Sequence, residues 1–213
     1  MDIYASDEEK AEAIKQWWRD NGRSVIAGVI LGLAAIFGFR YWTNYQQVQT
    51  QQAAVIYQQT SIQLSQDEVA DAETMVNTLM QDYPASAYAV FAALEMAQSK
   101  LNQDEPDAAA EYLSWVKDNA ELQSHRELAS LRLARVYFSQ LQFDQALSLI
   151  AEADSQAFGS LFAELKGDIK LAQGDPAAAQ TAYQQALVQL APGQPRQSLI
   201  EIKLDDVAKA DEG

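Results

Sequence analysis

Residues 133–153, L-A-R-V-Y-F-S-Q-L-Q-F-D-Q-A-L-S-L-I-A-E-A, return thirty-three positions later as residues 166–186, K-G-D-I-K-L-A-Q-G-D-P-A-A-A-Q-T-A-Y-Q-Q-A. Few letters are shared, but the sizes align. Ala134 falls on Gly167, Ala146 on Ala179 and Ala153 on Ala186, while a larger residue, Ile150 or Tyr183, stands between the second and third. Small side chains at fixed positions let the two helices of a hairpin approach closely, and a period of this length is the signature of stacked repeats. Weaker copies lie upstream at a spacing of thirty-seven: Ala97 precedes Ala134, Ala109 precedes Ala146, and Ala72 precedes Ala109.

This spacing resembles the tetratricopeptide repeat. Three to four units fit, and Pro84, twelve residues after Ala72, stands where such a unit ends its second helix. The surrounding composition is that of helices, with nine Gly and five Pro in 213 residues and Ala, Gln, Leu and Glu dominant. Pro106 and Pro176 each follow an acidic residue able to cap, as a proline in the first helical position prefers. Ser65 with Glu68 and Ser124 with Glu127 have capping-box spacing, and Pro192-Gly193 closes the last hairpin. From Ser198 to Ala208, Ile200, Leu204 and Val207 share one helical face, which predicts a C-terminal helix that caps the stack. The fold class is all-α.

Nearer the N-terminus, Val25 to Phe39 runs fifteen residues without a charged or strongly polar side chain. Extended to residues 24–42, the stretch is about 28 Å long as a helix, close to the roughly 30 Å of a bilayer's hydrocarbon core. Arg23 and Arg40 can carry their guanidinium groups out to the headgroups. Trp17, Trp18 and Trp42, with Tyr41 and Tyr45, fall at the two interfaces, where amphipathic rings are favoured. A cleaved secretory signal fits poorly, because twenty-four residues precede the run and six are acidic, and Ile36-Phe37-Gly38-Phe39-Arg40 carries no small-residue cleavage pattern. A buried core helix is the competing reading. Gly28, Gly32 and Gly38 argue against it, being poor helix formers in water and common in membrane helices.

Lys10, Lys15, Arg19 and Arg23 precede the span, and beyond Arg40 the next basic residue is Lys100. The positive-inside rule therefore predicts a cytoplasmic N-terminus and a C-terminal domain across the membrane, in the periplasm of a bacterium. Before the span, Ser6 with Glu9 has capping-box spacing, so a helix is expected from Asp7 to near Gly22 with Ala11, Ile14, Trp17 and Trp18 on its apolar side. The expected organisation is a cytoplasmic amphipathic segment (1–23), a transmembrane helix (24–42), a Gln-rich membrane-proximal helix (43–66) and a repeat domain (67–213).

After Arg40 the chain holds ten basic against twenty-four acidic residues. Such a surface repels phosphate backbones, which excludes nucleic acid as a partner. Zero cysteines exclude disulfides, thiol redox chemistry and thiolate metal sites. The single histidine, His125, lies at an expected helix start and reads as structural or solvated. Asp104, Glu105 and Asp107 lack the twelve-residue ligand pattern and glycine of a calcium loop, and no glycine-rich phosphate loop occurs. No catalytic, cofactor or metal residues are assigned, and the chain is expected not to be an enzyme.

Stacked hairpins form an extended face that binds peptides or proteins, and a single span holds that face beside the membrane at high effective concentration. Aligning Ala134 with Gly167 places Leu94, Gln98, Leu131, Arg135, Phe138, Glu164 and Asp168 on the groove. Within the span, Gly28 and Gly32 form a G-x-x-x-G pair and Ala34 with Gly38 repeats the small-residue spacing, which permits close contact with another membrane helix.

The opening D-I-Y-A-S-D-E-E-K-A-E-A-I-K-Q-W-W-R-D-N-G-R, the apolar span with its G-x-x-x-G pair, the R-Y-W that follows and the Gln-rich helix leading into degenerate repeats together resemble the bacterial YfgM family. The resemblance covers essentially the whole chain and is most specific from Glu9 to Gly22. It implies an ancillary subunit of the SecYEG translocon in the inner membrane. That subunit would be associated with the membrane-anchored periplasmic foldase PpiD and help newly exported client proteins pass to periplasmic chaperones. It also implies a second role, restraint of a stress-response regulator by residues 1–22 on the cytoplasmic side. An alternative that fits the same residues is a signalling or cell-envelope scaffold whose domain binds one folded partner.

Overall fold

The computed structural model describes residues 7–153, 157–191 and 193–211. Among these residues there are nine α-helices and no strand: α1 (Asp7–Ser65), α2 (Val69–Asp82), α3 (Ala87–Asn102), α4 (Pro106–Asn119), α5 (Gln123–Ser139), α6 (Phe143–Glu152), α7 (Gly159–Ala172), α8 (Pro176–Val188) and α9 (Arg196–Asp211). The chain divides into two compact units, Met1–Gln51 and Gln52–Gly213.

In the first unit the helix expected to stop near Gly22 continues without a break. One glycine costs a helix only about 1 kcal/mol, and here its missing side chain is used. The Trp18 indole lies over Gly22, so that a Cβ there would meet Trp18 Cε2 at 3.3 Å. The most apolar eighteen-residue window of α1 has a mean hydropathy of 1.9 and is only 6% buried. A core helix of a soluble domain would be covered; this one is bare. Trp17, Trp18 and Trp42 are exposed, as are Arg23, Arg40 and Ala34. A Cβ built at Gly28, Gly32 or Gly38 would meet nothing within 4 Å. Ser6 of the expected capping box lies outside the described residues.

The second unit begins at Gln52, inside α1. Its first residues belong to the stretch expected to continue as a helix from the membrane, as α1 does, and they pack as the first helix of a hairpin. Ala53 and Thr60 are fully buried, and Ile56, Tyr57 and Leu64 join the same core. This one-faced spacing is that of a packed helix. Four hairpins follow in register: the end of α1 with α2, α3 with α4, α5 with α6, and α7 with α8. Ala72, Ala109, Ala146 and Ala179 are all fully buried, as the period requires. Ala153 differs, because α6 stops at Glu152 and leaves it as a half-buried C-cap.

The period is also written in the backbone. Asp67, Asp104, Leu141 and Gly174 occupy equivalent turns with φ of 64°, 61°, 60° and 78°. In each turn the next residue donates across five positions: Glu68 N–H to Gln63 O, Glu105 to Lys100, Gln142 to Tyr137 and Asp175 to Lys170, at 2.8–2.9 Å. This is the Schellman arrangement that closes a helix through one left-handed residue.

Two expected capping boxes are not formed. Ser65 ends α1, and its Oγ donates back to Ile62 O at 2.7 Å; α5 begins at Gln123, ahead of Ser124, after an uncapped Leu122. At Ser65 the turn that closes α1 already uses the position. Asp175 does cap α8, its Oδ1 accepting from Ala178 N–H at 3.0 Å, whereas Glu105 turns its carboxylate to Lys100. Ser86, unremarked in the sequence, accepts from Tyr88 N–H and caps α3. Pro192 lies outside the described residues.

Candidate protein-binding groove

The first helices of successive hairpins line up side by side, and their shared face carries two adjoining clefts. One, of about 370 Å³, lies between α3 and α5 and is lined by Leu94, Ala97, Gln98, Leu101, Leu113, Arg132, Arg135, Val136 and Ser139. The other, of about 540 Å³, lies between the end of α1 and α3 and is polar, with Glu95, Gln98, Ser99 and Asn102 among its lining residues. Gln98 belongs to both.

Of the seven residues expected on the groove, Leu94, Gln98 and Arg135 meet in the first cleft. Leu94 is a buried floor residue, while Gln98 and Arg135 are exposed. Leu131 is 1% exposed and packs with Ala134, Ala146 and Phe162 in the core. Phe138 is half-buried, its ring 6.1 Å from that of Phe143. Leu131 holds the position of Leu94 one repeat on, but there Phe162 of α7 packs against it, and Phe138 is taken up by Phe143 of α6.

Glu164 and Asp168 do reach the inner side of the last hairpin, and there α9 covers them. Glu164, only 3% exposed, accepts from Arg196 Nε at 2.6 Å and Lys203 Nζ at 2.8 Å. Asp168 accepts from Lys203 Nζ at 2.7 Å and from the Tyr183 hydroxyl at 2.8 Å. Burial pushes the Glu164 pKa up, but the hydrogen bonds from Arg196 and Lys203 outweigh it and hold the carboxyl below the usual glutamate value. Ile200 and Val207 of α9 are buried beneath, with Leu204 beside them, as the apolar stripe predicts. Lys203 lies on that buried side. A cation beside an apolar stripe was the available sign that α9 meets an acid.

A second ionic group ties α2, α3 and α4 together. Lys100, 8% exposed, pairs with Glu73 at 3.0 Å and Glu105 at 3.1 Å, and Tyr112 Oη donates to Glu73 at 3.0 Å. Lys100 holds the Glu73 carboxyl below the usual range. Glu105 is thus spoken for, and Asp107 accepts from Gln140 Nε2 at 2.6 Å. His125 packs edge-on against Phe91, ring centroids 5.6 Å apart. Among the described residues no cluster of three or more His, Asp or Glu side chains is placed to hold a metal ion. A further cleft of about 480 Å³ between α6, α7 and α8 contains none of the expected groove residues.

A family model described as a tetratricopeptide repeat-like domain matches residues 15–209. A Haemophilus influenzae protein described as an ancillary SecYEG translocon subunit is 32% identical over 94% of this chain and 97% of its own length. The chain belongs to this tetratricopeptide repeat-like family. Similar proteins of the same description occur in Escherichia coli, 29% identical over 86% of this chain and 88% of theirs, and in Neisseria gonorrhoeae, 27% identical over 97% and 100%. Membership of a tetratricopeptide repeat-like family accords with the four stacked hairpins, and the long bare apolar helix fits a single-pass protein of the inner membrane.

Proposed function

We propose that this chain is a non-enzymatic ancillary subunit of the SecYEG translocon. The observation that carries the reading is similarity along nearly the whole chain to relatives so described, from the N-terminal helix through the repeats. The basic residues ahead of the span orient the N-terminus to the cytoplasm and residues 43–213 to the periplasm. There the repeat unit works with the membrane-anchored foldase PpiD and assists the passage of exported proteins to periplasmic chaperones. The exposed pairs Gly28–Gly32 and Ala34–Gly38, on two different sides of the helix, are contacts for neighbouring membrane helices, while Trp17, Trp18, Arg23, Arg40 and Trp42 set the depth of the span. Leu94, Gln98 and Arg135 form the client or partner groove. The segment before the span is the place where a cytoplasmic regulator would bind.

Photocrosslinking residues at Gly32 and, separately, at Gln98 test the reading in cells. Gln98 is preferable to Phe138, whose ring is committed to Phe143. Translocon subunits or the foldase anchor at Gly32, with varied exported proteins or PpiD at Gln98, are the expected captures. A single folded envelope protein at both positions would refute the proposal in favour of a scaffold.

A further inference from the structure

In a repeat unit dominated by carboxylates, most cations are engaged. Lys100, Lys117, Arg196 and Lys203 each lie within 3.1 Å of a carboxylate oxygen, and Arg126 donates to the Ala120 and Glu121 carbonyls. Arg132 and Arg135 have no hydrogen-bond or ion-pair partner among the described residues, and both line the α3–α5 cleft. Although the Arg135 side chain reaches solvent, its partial desolvation in the cleft, then repulsion from Arg196, lowers its pKa, and the attraction of Glu164 and Asp168 does not make up the difference. Those two carboxylates are already held by α9. Beneath the two guanidinium groups the floor is apolar: Leu113 is fully buried, Leu94 and Val136 nearly so, and Leu101 is 37% exposed. Two cations without an ion-pair partner beside an apolar floor form a site for an anion attached to an apolar group.

We propose that the α3–α5 cleft binds an extended segment of a partner polypeptide, seating an apolar side chain on Leu101 and the exposed edges of Leu94 and Val136 while a carboxylate beside it in sequence bridges Arg132 and Arg135. This rests on the groove reading above and names the chemistry the groove selects. The adjoining polar cleft, which shares Gln98, continues the site along a chain and favours a polypeptide over a compact amphiphile. A single carboxylate suits the site better than an acidic run. Charges farther than about 8 Å are largely screened at physiological salt, so the pair of arginines acts on the group in contact, and each further carboxylate would lie against an acidic surface.

The full-length protein in lipid nanodiscs is titrated with labelled short peptides that carry one Leu and one Glu, one to four residues apart, in a Gly/Ser/Gln frame. Matched peptides carry Gln or Lys for Glu, and binding is read by anisotropy. At least one Leu/Glu spacing binds tenfold or more tighter than its Gln twin, with the Lys twin weakest. The double variant R132Q/R135Q removes that preference, and R132K/R135K retains part of it. Equal binding of Glu and Gln peptides, or a preference that survives R132Q/R135Q, overturns the proposal. So does displacement of every peptide alike by octanoate, which would mark a site for a small amphiphile. SecYEG co-purification, read on the same preparations, separates the two claims. Loss of peptide preference with SecYEG still present removes the ligand assignment alone, whereas wild-type protein that never co-purifies with SecYEG removes the translocon reading.

Discussion

Replacing Gly167 by alanine sets helix propensity against packing. In an unpacked helix the change gains about 1 kcal/mol. Here a Cβ at residue 167 would stand 2.5 Å from Tyr183 Cδ1 and 2.9 Å from Cζ, so the ring must move by about 1 Å to reach ordinary van der Waals contact. It has nowhere easy to go, being 1% exposed and tied through its hydroxyl to Asp168 at 2.8 Å. Overpacking an enclosed side chain costs up to about 3 kcal/mol, and loosening the hydroxyl bond adds about 1 kcal/mol. Net of propensity, G167A is expected to destabilise by about 2–3 kcal/mol, lowering Tm by roughly 4–12 °C for a unit of this size. The repeats themselves supply the compensating change. The residues sixteen apart that share this position are Thr60 and Val76, Ala97 and Leu113, Ala134 and Ile150, and Gly167 and Tyr183; only the glycine faces a tyrosine. G167A/Y183I restores the Ala–Ile pair of the preceding hairpin and should be more stable than the sum of its single variants. Urea unfolding of the three variants checks this. A higher midpoint for G167A, or strict additivity in the double variant, would refute the close approach of α7 and α8.

Leu141 holds φ of 60° with its side chain 71% exposed, a backbone state that costs a non-glycine residue about 1–2 kcal/mol. L141G relieves it with little loss of burial and some cost in chain entropy, so a gain of about 0.5–1 kcal/mol is expected as a higher urea midpoint at unchanged slope; a lower midpoint would contradict the turn. Glu164 has a folded-state pKa below its ordinary 4.5, so its stabilising contribution is complete above pH 4.5 and fades as pH falls through that value toward the folded one. Wild type and E164Q should therefore differ in unfolding midpoint at pH 7 and converge as the pH is taken below 4.5. A difference that persists unchanged in acid would mean that the pairing with Arg196 and Lys203 does not exist.

Much of this fold is legible locally. The period of Ala72, Ala109, Ala146 and Ala179 predicts the second helices, and all four are fully buried. The α9 stripe of Ile200, Leu204 and Val207 reads correctly because a single amphipathic helix carries its own pattern. Boundaries that depend on competition between neighbouring signals do not read this way. Gly22 looks like a stop, yet Trp18 covers it. Ser65 looks like an N-cap, yet the Schellman turn after α1 has already used the position.

The groove divides along the same line. Spacing alone puts Leu94, Gln98 and Arg135 on one face, and the three line one cleft. It cannot tell Leu131 from Leu94, its equivalent one repeat earlier, because what covers Leu131 is Phe162 of the next hairpin. Arg132, one turn from Arg135, carries no local mark of its place in the cleft. Composition and periodicity determined an all-α chain with one long apolar segment and stacked hairpins, since both properties are sums over short stretches of sequence. Only the tertiary structure decided which acids remain open to a partner. Glu164 and Asp168 are closed by cations thirty-two to thirty-nine residues away on α9, and a pairing over that distance leaves no periodic trace for the sequence to carry.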